Sequence, residues 1–174
     1  GRFLLGIGTG WFREEAEIMG VDYDHRWTQA REHVLAMKEL WTKDEAEFHG
    51  TYLDFPQITC NPKPTQKPHP PVLLGGGAKN VHRRVVQWGD GWLPVGADPE
   101  TIKSSRATLS ELADTAGRDP RSVSITVLNT EPPDRDLMDR YEEAGADRVI
   151  LLSMAPDHAG AMSEIEDLAA KVLR

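Results

Sequence analysis

Two glycine clusters carry the clearest chemical signal in the sequence. Gly6-Ile7-Gly8-Thr9-Gly10 follows one short apolar run, and Gly75-Gly76-Gly77-Ala78-Lys79-Asn80 follows another. Glycine lets backbone N–H groups come close to an anionic or planar ligand. A helix that starts just after such a loop adds the positive end of its dipole. Gly75, Gly76 and Gly77 stand between a strand-like run and a helix-like one, so they are predicted to hold a phosphate, with a bare tight turn as the other reading. Without a ligand each glycine would cost about 0.5 to 1 kcal/mol against alanine. Gly8, Thr9 and Gly10 are either the backbone wall of a cofactor site or a tight strand-to-helix turn. Two nucleotide signatures fail: G-x-G-x-x-G needs glycine where Trp11 stands, and G-x-x-x-x-G-K-[ST] is absent.

Other reactive residues give weaker patterns. The histidines, His25, His33, His49, His69, His82 and His158, show no H-E-x-x-H or i, i+4 pairing, so no metal site is expected. His82 falls in the first turn after the glycines and is read as a solvated surface residue. Glu14 and Glu15 either compensate a helix dipole or reach a ribityl chain or substrate. Cys60 has no basic neighbour and is read as inert. Ser124 and Ser153 lack a nucleophile-elbow context, which leaves a hydrolase triad without support. Trp27, Trp41, Trp88 and Trp92 sit mostly at core spacing, whereas Trp11 lies beside a glycine loop where its ring could wall a flat cofactor. No residue is assigned a catalytic role.

Composition removes several function classes. Lys plus Arg total 20 against 28 for Asp plus Glu, a net charge of −8, and no basic run is present. Nucleic-acid binding is therefore disfavoured. The single cysteine excludes an internal disulfide framework. No apolar stretch approaches the roughly 18 to 20 residues of a membrane span, and the beginning has no signal-peptide pattern. A soluble, acidic, cytoplasmic protein is expected, one that takes a small molecule and binds neither nucleic acid nor membrane.

The elements that must position the glycines alternate along the chain. Phe3 to Ile7 is predicted to be a buried parallel strand. A helix runs from Tyr23 to Trp41, with Asp22 or Asp24 as its N-cap. Residues 47–71 break the pattern: aromatics flank Gly50, and the prolines that follow exclude a helix, so a hairpin and a Pro-rich strap are expected. Strands are then predicted at Val72–Leu74, Gly91–Val95, Val123–Leu128 and Val149–Leu152. Helices are predicted at Asn80–Trp88, Pro99–Ala116 and Asp134–Ala144, with a last one through Met162, Ile165, Leu168 and Val172. Such strand-and-helix units imply an α/β fold with a parallel sheet covered by helices. The sheet could be open and doubly wound or part of an eight-stranded barrel. A whole barrel takes about 250 residues, so the second closure would lack roughly three units.

The motifs in series are more specific than any one of them. Gly8-Thr9-Gly10-Trp11-Phe12-Arg13-Glu14-Glu15, Gly20-Val21, Leu40-Trp41-Thr42, Phe48-His49-Gly50 with Phe55, Pro62-Lys63-Pro64 through Pro70-Pro71-Val72, Gly75-Gly76 and Gly89-Asp90-Gly91-Trp92 follow one another over nearly the whole chain. In that order they resemble the luciferase-like monooxygenase superfamily, and within it the F420-dependent oxidoreductases of actinobacterial type. The resemblance implies a partial TIM barrel, strands four to eight with their helices, in one domain over 1–174 that carries the Pro-rich insertion at 47–71.

By the same resemblance, Gly8, Thr9 and Gly10 lie along the ring and ribityl region of a flavin or deazaflavin, and Gly75, Gly76 and Gly77 hold its phosphate. The residues nearest the substrate come largely from the first three units and have no counterpart here. Some deazaflavin dehydrogenases carry a glutamate directly after the first glycine loop, where this chain has Trp11. The implied activity is hydride transfer between coenzyme F420 and an organic substrate. The alternatives are an FMN-dependent monooxygenase and a non-catalytic partial barrel that binds phosphate or serves in assembly. A chain starting inside a strand at Gly1 reads as cut from a longer barrel, so exposed sheet edges are expected to be covered by self-association or by the missing N-terminal half.

Overall fold

A computed structural model describes residues 1–173. They form two compact units that divide between Leu74 and Gly75. Both mix helices and strands; the first holds one parallel and one antiparallel strand pair, and the strand pairs of the second are parallel. No helix among the described residues is long and apolar enough to cross a membrane.

The first unit contains β1 (Leu5–Ile7), α1 (Arg13–Ile18), α2 (Arg26–Thr42), β2 (Ala46–His49), β3 (Asp54–Ile58) and β4 (Val72–Gly75), whose last residue opens the second unit. β1 pairs in parallel with β4, Leu5 opposite Val72 and Ile7 opposite Leu74. Val72, Leu73 and Leu74 are all buried, as a continuous apolar run in a parallel sheet should be. β1 departs from the expected buried strand: its residues are only half covered, and Phe3 is 57% exposed. The reason is positional, since β1 has β4 along one side and no strand of this unit along the other.

Polar side chains fasten this unit together. α2 buries Val34 and Ala36, and beside them the carboxylate of Glu32. Glu32 accepts the backbone N–H groups of Thr51 at 3.1 Å, Tyr52 at 2.7 Å and Leu53 at 3.3 Å. Those bonds, Tyr52 first, hold its carboxyl below the usual range, and they hang the β2–β3 turn on the helix. Gly50 in that turn has no room for a side chain, because a Cβ would run into the Glu32 carboxylate and the Phe48 ring. Lys63 of the strap donates to the carbonyls of Leu40, at 2.8 Å, and Lys43 at the end of α2, where helix carbonyls lack partners. Neither Asp22 nor Asp24 caps α2 as expected; His25 occupies that position. Asp24 is drawn instead to the Arg13 guanidinium, and Asp22 to the His25 ring at 2.7 Å, because charge-assisted bonds are the stronger ones.

The second unit contains α3 (Val81–Trp88), β5 (Gly91–Leu93), α4 (Pro99–Thr115), β6 (Ser124–Leu128), α5 (Arg135–Glu143), β7 (Arg148–Ile150) and α6 (His158–Val172). β6 lies between β5 and β7 and is parallel to both, with Trp92 opposite Ile125 and Val127 opposite Val149. Ile102, Leu109, Ile125 and Val127 are fully buried, or nearly so. Asp98, Asp134 and Asp157 cap α4, α5 and α6, each accepting an N–H from the first turn. α6 buries no residue, and Met162 and Ile165 on it are about half exposed.

Candidate functional site

In the first unit the sharp turn after β1 is made by Gly10, whose φ of +77° is the left-handed backbone that glycine tolerates. Gly8 and Gly10 are exposed, and a Cβ on either would meet nothing within 4 Å. Thr9 between them is half-buried. Trp11 follows, 86% exposed and stacked on Phe12 at 5.5 Å. Its backbone is held in place by the Tyr23 hydroxyl, which donates to the Trp11 carbonyl at 2.9 Å. Arg13 and Arg26 lie over the Tyr23 ring at 4.5 and 3.7 Å, a favourable cation–π arrangement. Arg13 also pairs with Asp24 and Glu17, and Asp24 foremost raises its pKa. Glu14 and Glu15 occupy the exposed first turn of α1, as dipole compensation requires.

At the start of the second unit, β4 ends in Gly75 and the chain turns at Gly76, with φ +88°. Gly76 is fixed on both sides by β5. Its N–H donates to the Leu93 carbonyl at 3.2 Å, and its own carbonyl accepts the Trp92 indole N–H at 2.8 Å. Gly76 and Gly77 are exposed, with open space where a Cβ would stand. Among the described residues the N–H groups of Gly77, Ala78 and Lys79 make no hydrogen bond. α3 then begins at Val81 with no side-chain cap and no acidic residue in its first turn. The result is an uncapped helix N-terminus behind a row of available N–H donors, next to the Lys79 side chain. Such an arrangement recruits an anion.

His82 differs from the solvated surface histidine expected. It is half-buried, its ring stands perpendicular to Trp92 at 4.6 Å, and its Nε2 is buried with no partner. Burial pushes its pKa down. Trp92, expected as a core residue, is 4% exposed. Its bond to Gly76 is something spacing cannot reveal, since a strand tryptophan is apolar bulk until its N–H is placed. Arg118 also escaped the sequence reading: it reaches the Gly89 carbonyl at 2.7 Å and that of Val86 at 3.2 Å, closing the C-terminal end of α3. The six glycine-loop candidates thus fall into two groups, Gly8, Thr9 and Gly10 in the first unit and Gly75, Gly76 and Gly77 at the start of the second. Cys60 is half-buried and unpaired, and no trio of metal-ligating side chains occurs among the described residues.

The profile of the luciferase-like monooxygenase family matches residues 1–132. The chain is 35% identical over 177 residues to the uncharacterized protein Rv0953c of Mycobacterium tuberculosis, an alignment covering 99% of this chain and 60% of the relative. It therefore spans about 60% of the length of that relative. It is 30% identical over 130 residues to the FMNH(2)-dependent dimethylsulfone monooxygenase of Pseudomonas putida, covering 73% of this chain and 35% of that protein. Among solved structures it is similar to an F420-dependent secondary alcohol dehydrogenase in complex with an F420–acetone adduct, with TM-score 0.76, 18% identity, and coverage of 97% of this chain and 69% of that one. This last likeness speaks for the fold, which is that of a partial luciferase-like (β/α)8 barrel.

Proposed function

The chain belongs to the luciferase-like monooxygenase family, and on that footing we propose that its Gly75–Gly77 loop holds the phosphate of a deazaflavin in an oxidoreductase acting on a small organic substrate. The observation that carries this reading is the run of available N–H groups from Gly77 to Lys79 ahead of the uncapped α3. An anion placed there meets several donors and the positive end of a helix at once. The open space beside Gly76 and Gly77 leaves room for it.

When bound, the deazaflavin supplies hydride transfer to or from the substrate. The chain's own part is to bind and orient. Gly75, Gly76 and Gly77 fix the phosphate end, and Lys79 adds a positive charge close by. In the first unit, Gly8, Thr9 and Gly10 allow a planar ligand close approach to the backbone, and the exposed Trp11 indole offers a flat apolar surface. Coenzyme F420 is the first choice of cofactor. FMN is the second reading, favoured by the 30% identity to an FMNH(2)-dependent monooxygenase.

Titration of the purified chain with coenzyme F420 and with FMN, followed by fluorescence, tests the proposal. Micromolar binding of either is the expected result, and the tighter of the two identifies the cofactor. A chain that shows a folded circular-dichroism spectrum and binds neither would leave only a non-catalytic role in packing or assembly.

A further inference from the structure

The Gly76–Gly77 peptide is the weak point of a phosphate loop. Both residues are glycines and can take φ of either sign, so the peptide plane between them can turn over at little cost. In one orientation the Gly77 N–H faces the ligand; in the other the Gly76 carbonyl does, and its negative end would repel a phosphate. Across a trans peptide the carbonyl and the following N–H point in opposite directions. Whatever holds the Gly76 carbonyl therefore also aims the Gly77 N–H. One donor holds it among the described residues: the Trp92 indole N–H, at 2.8 Å. Trp92 is itself held, buried in β5 and met edge-on by the His82 ring at 4.6 Å.

We propose that Trp92 is a positioning residue for phosphate recognition, locking the Gly76–Gly77 peptide with its N–H turned outward, and that His82 braces the indole. The inference rests on the phosphate reading of the loop. His82 serves here as an apolar wall. Its Nε2 has no partner and is buried, and burial keeps the imidazole neutral, so its ring bulk sets the indole plane. Because His82 lies in the first turn of α3, the helix that would face the phosphate also carries the brace.

The test compares ligands with and without the phosphate: FMN against riboflavin, which differ only there, and coenzyme F420 against its 8-hydroxy-5-deazariboflavin core, which lacks the phosphate together with the tail it carries. The wild-type chain is expected to prefer the phosphate-bearing member of a pair. Trp92→Phe keeps a buried ring but loses the donor, and is expected to lower that preference roughly five- to tenfold, the size of one net hydrogen bond. Affinity for the phosphate-free member stays unchanged, which a general loss of structure would not produce. His82→Ala lowers the preference by a smaller factor, and His82→Leu, which restores bulk, recovers it. An unchanged preference in Trp92→Phe overturns the positioning role. A wild-type chain without any preference overturns the phosphate reading itself, so the two failures are distinguishable. Amide and indole hydrogen exchange on the wild-type chain gives a second check: the Trp92 indole N–H is expected to exchange far more slowly than that of the exposed Trp11. Equal rates would overturn the proposal even if the variant failed to fold.

Discussion

Gly76→Val is expected to weaken FMN or coenzyme F420 binding at least tenfold while the chain stays folded. Gly76 sits at φ +88°, a region that costs an ordinary L-residue about 1 to 2 kcal/mol and disfavours β-branched side chains most. Space is not the obstacle, since a Cβ there would touch nothing within 4 Å. The cost is therefore all in the backbone, and relieving it requires a change of φ at residue 76, which turns the Gly75–Gly76 peptide. That motion breaks the Gly76 N–H bond to the Leu93 carbonyl and, by shifting the chain that follows, moves the Gly77 N–H out of the phosphate position. Stability should suffer less than binding, because Gly76 and Gly77 are exposed and bury no core side chain. Ligand titration together with urea denaturation separates the two effects. Undiminished affinity would mean that the loop conformation is irrelevant to the ligand.

The second large effect concerns the scaffold of the second unit. Arg106 projects from α4 and donates to the Val123 carbonyl at 2.7 Å, to the Gly145 carbonyl at 2.6 and 3.0 Å, and to the Asp147 carboxylate. The same Asp147 carboxylate accepts the Ile125 N–H at 2.7 Å. One guanidinium thus ties α4 to the approaches of β6 and β7. Arg106→Met keeps the aliphatic bulk but strands two carbonyls and a carboxylate. It is expected to cost about 2 to 4 kcal/mol, in line with lost bonds to a charged donor whose acceptors are partly buried. Urea unfolding monitored by circular dichroism gives the value, and a loss under about 1 kcal/mol would reduce the cluster to an ordinary surface ion pair.

Legibility in the sequence followed the physics of each signal. The β4 run Val72-Leu73-Leu74 and the spacing of Ile102 and Leu109 on α4 carry their burial in their periodicity, whereas Leu112, expected on the same face, is only half-buried, and the strands and helices stand close to where those patterns put them. The Gly75–Gly77 turn was visible because three glycines have few other uses between a strand and a helix. Glu32, Lys63, Arg106 and Arg118 were invisible as fasteners. A charged residue on a helix or in a strap reads as solvated, and its backbone partners lie 17 and 39 residues away in the case of Arg106. The half-covered state of β1 escaped for a related reason, because an apolar run announces a preference for burial and says nothing of whether a neighbour lies on both sides. His82 and Trp92 show the same limit at the candidate site: one was expected as surface and the other as core, and only their mutual geometry gives either a role toward Gly76.

The central claim, that the Gly75–Gly77 loop receives the phosphate of a flavin or deazaflavin, is tested most directly by following the backbone amides of the nitrogen-labelled chain during titration with FMN and, separately, with coenzyme F420. The largest shifts are predicted at Gly76, Gly77, Ala78 and Lys79, and they should be much reduced with the phosphate-free counterparts. Binding that leaves those four amides unmoved, or that moves them equally without the phosphate, would contradict the account.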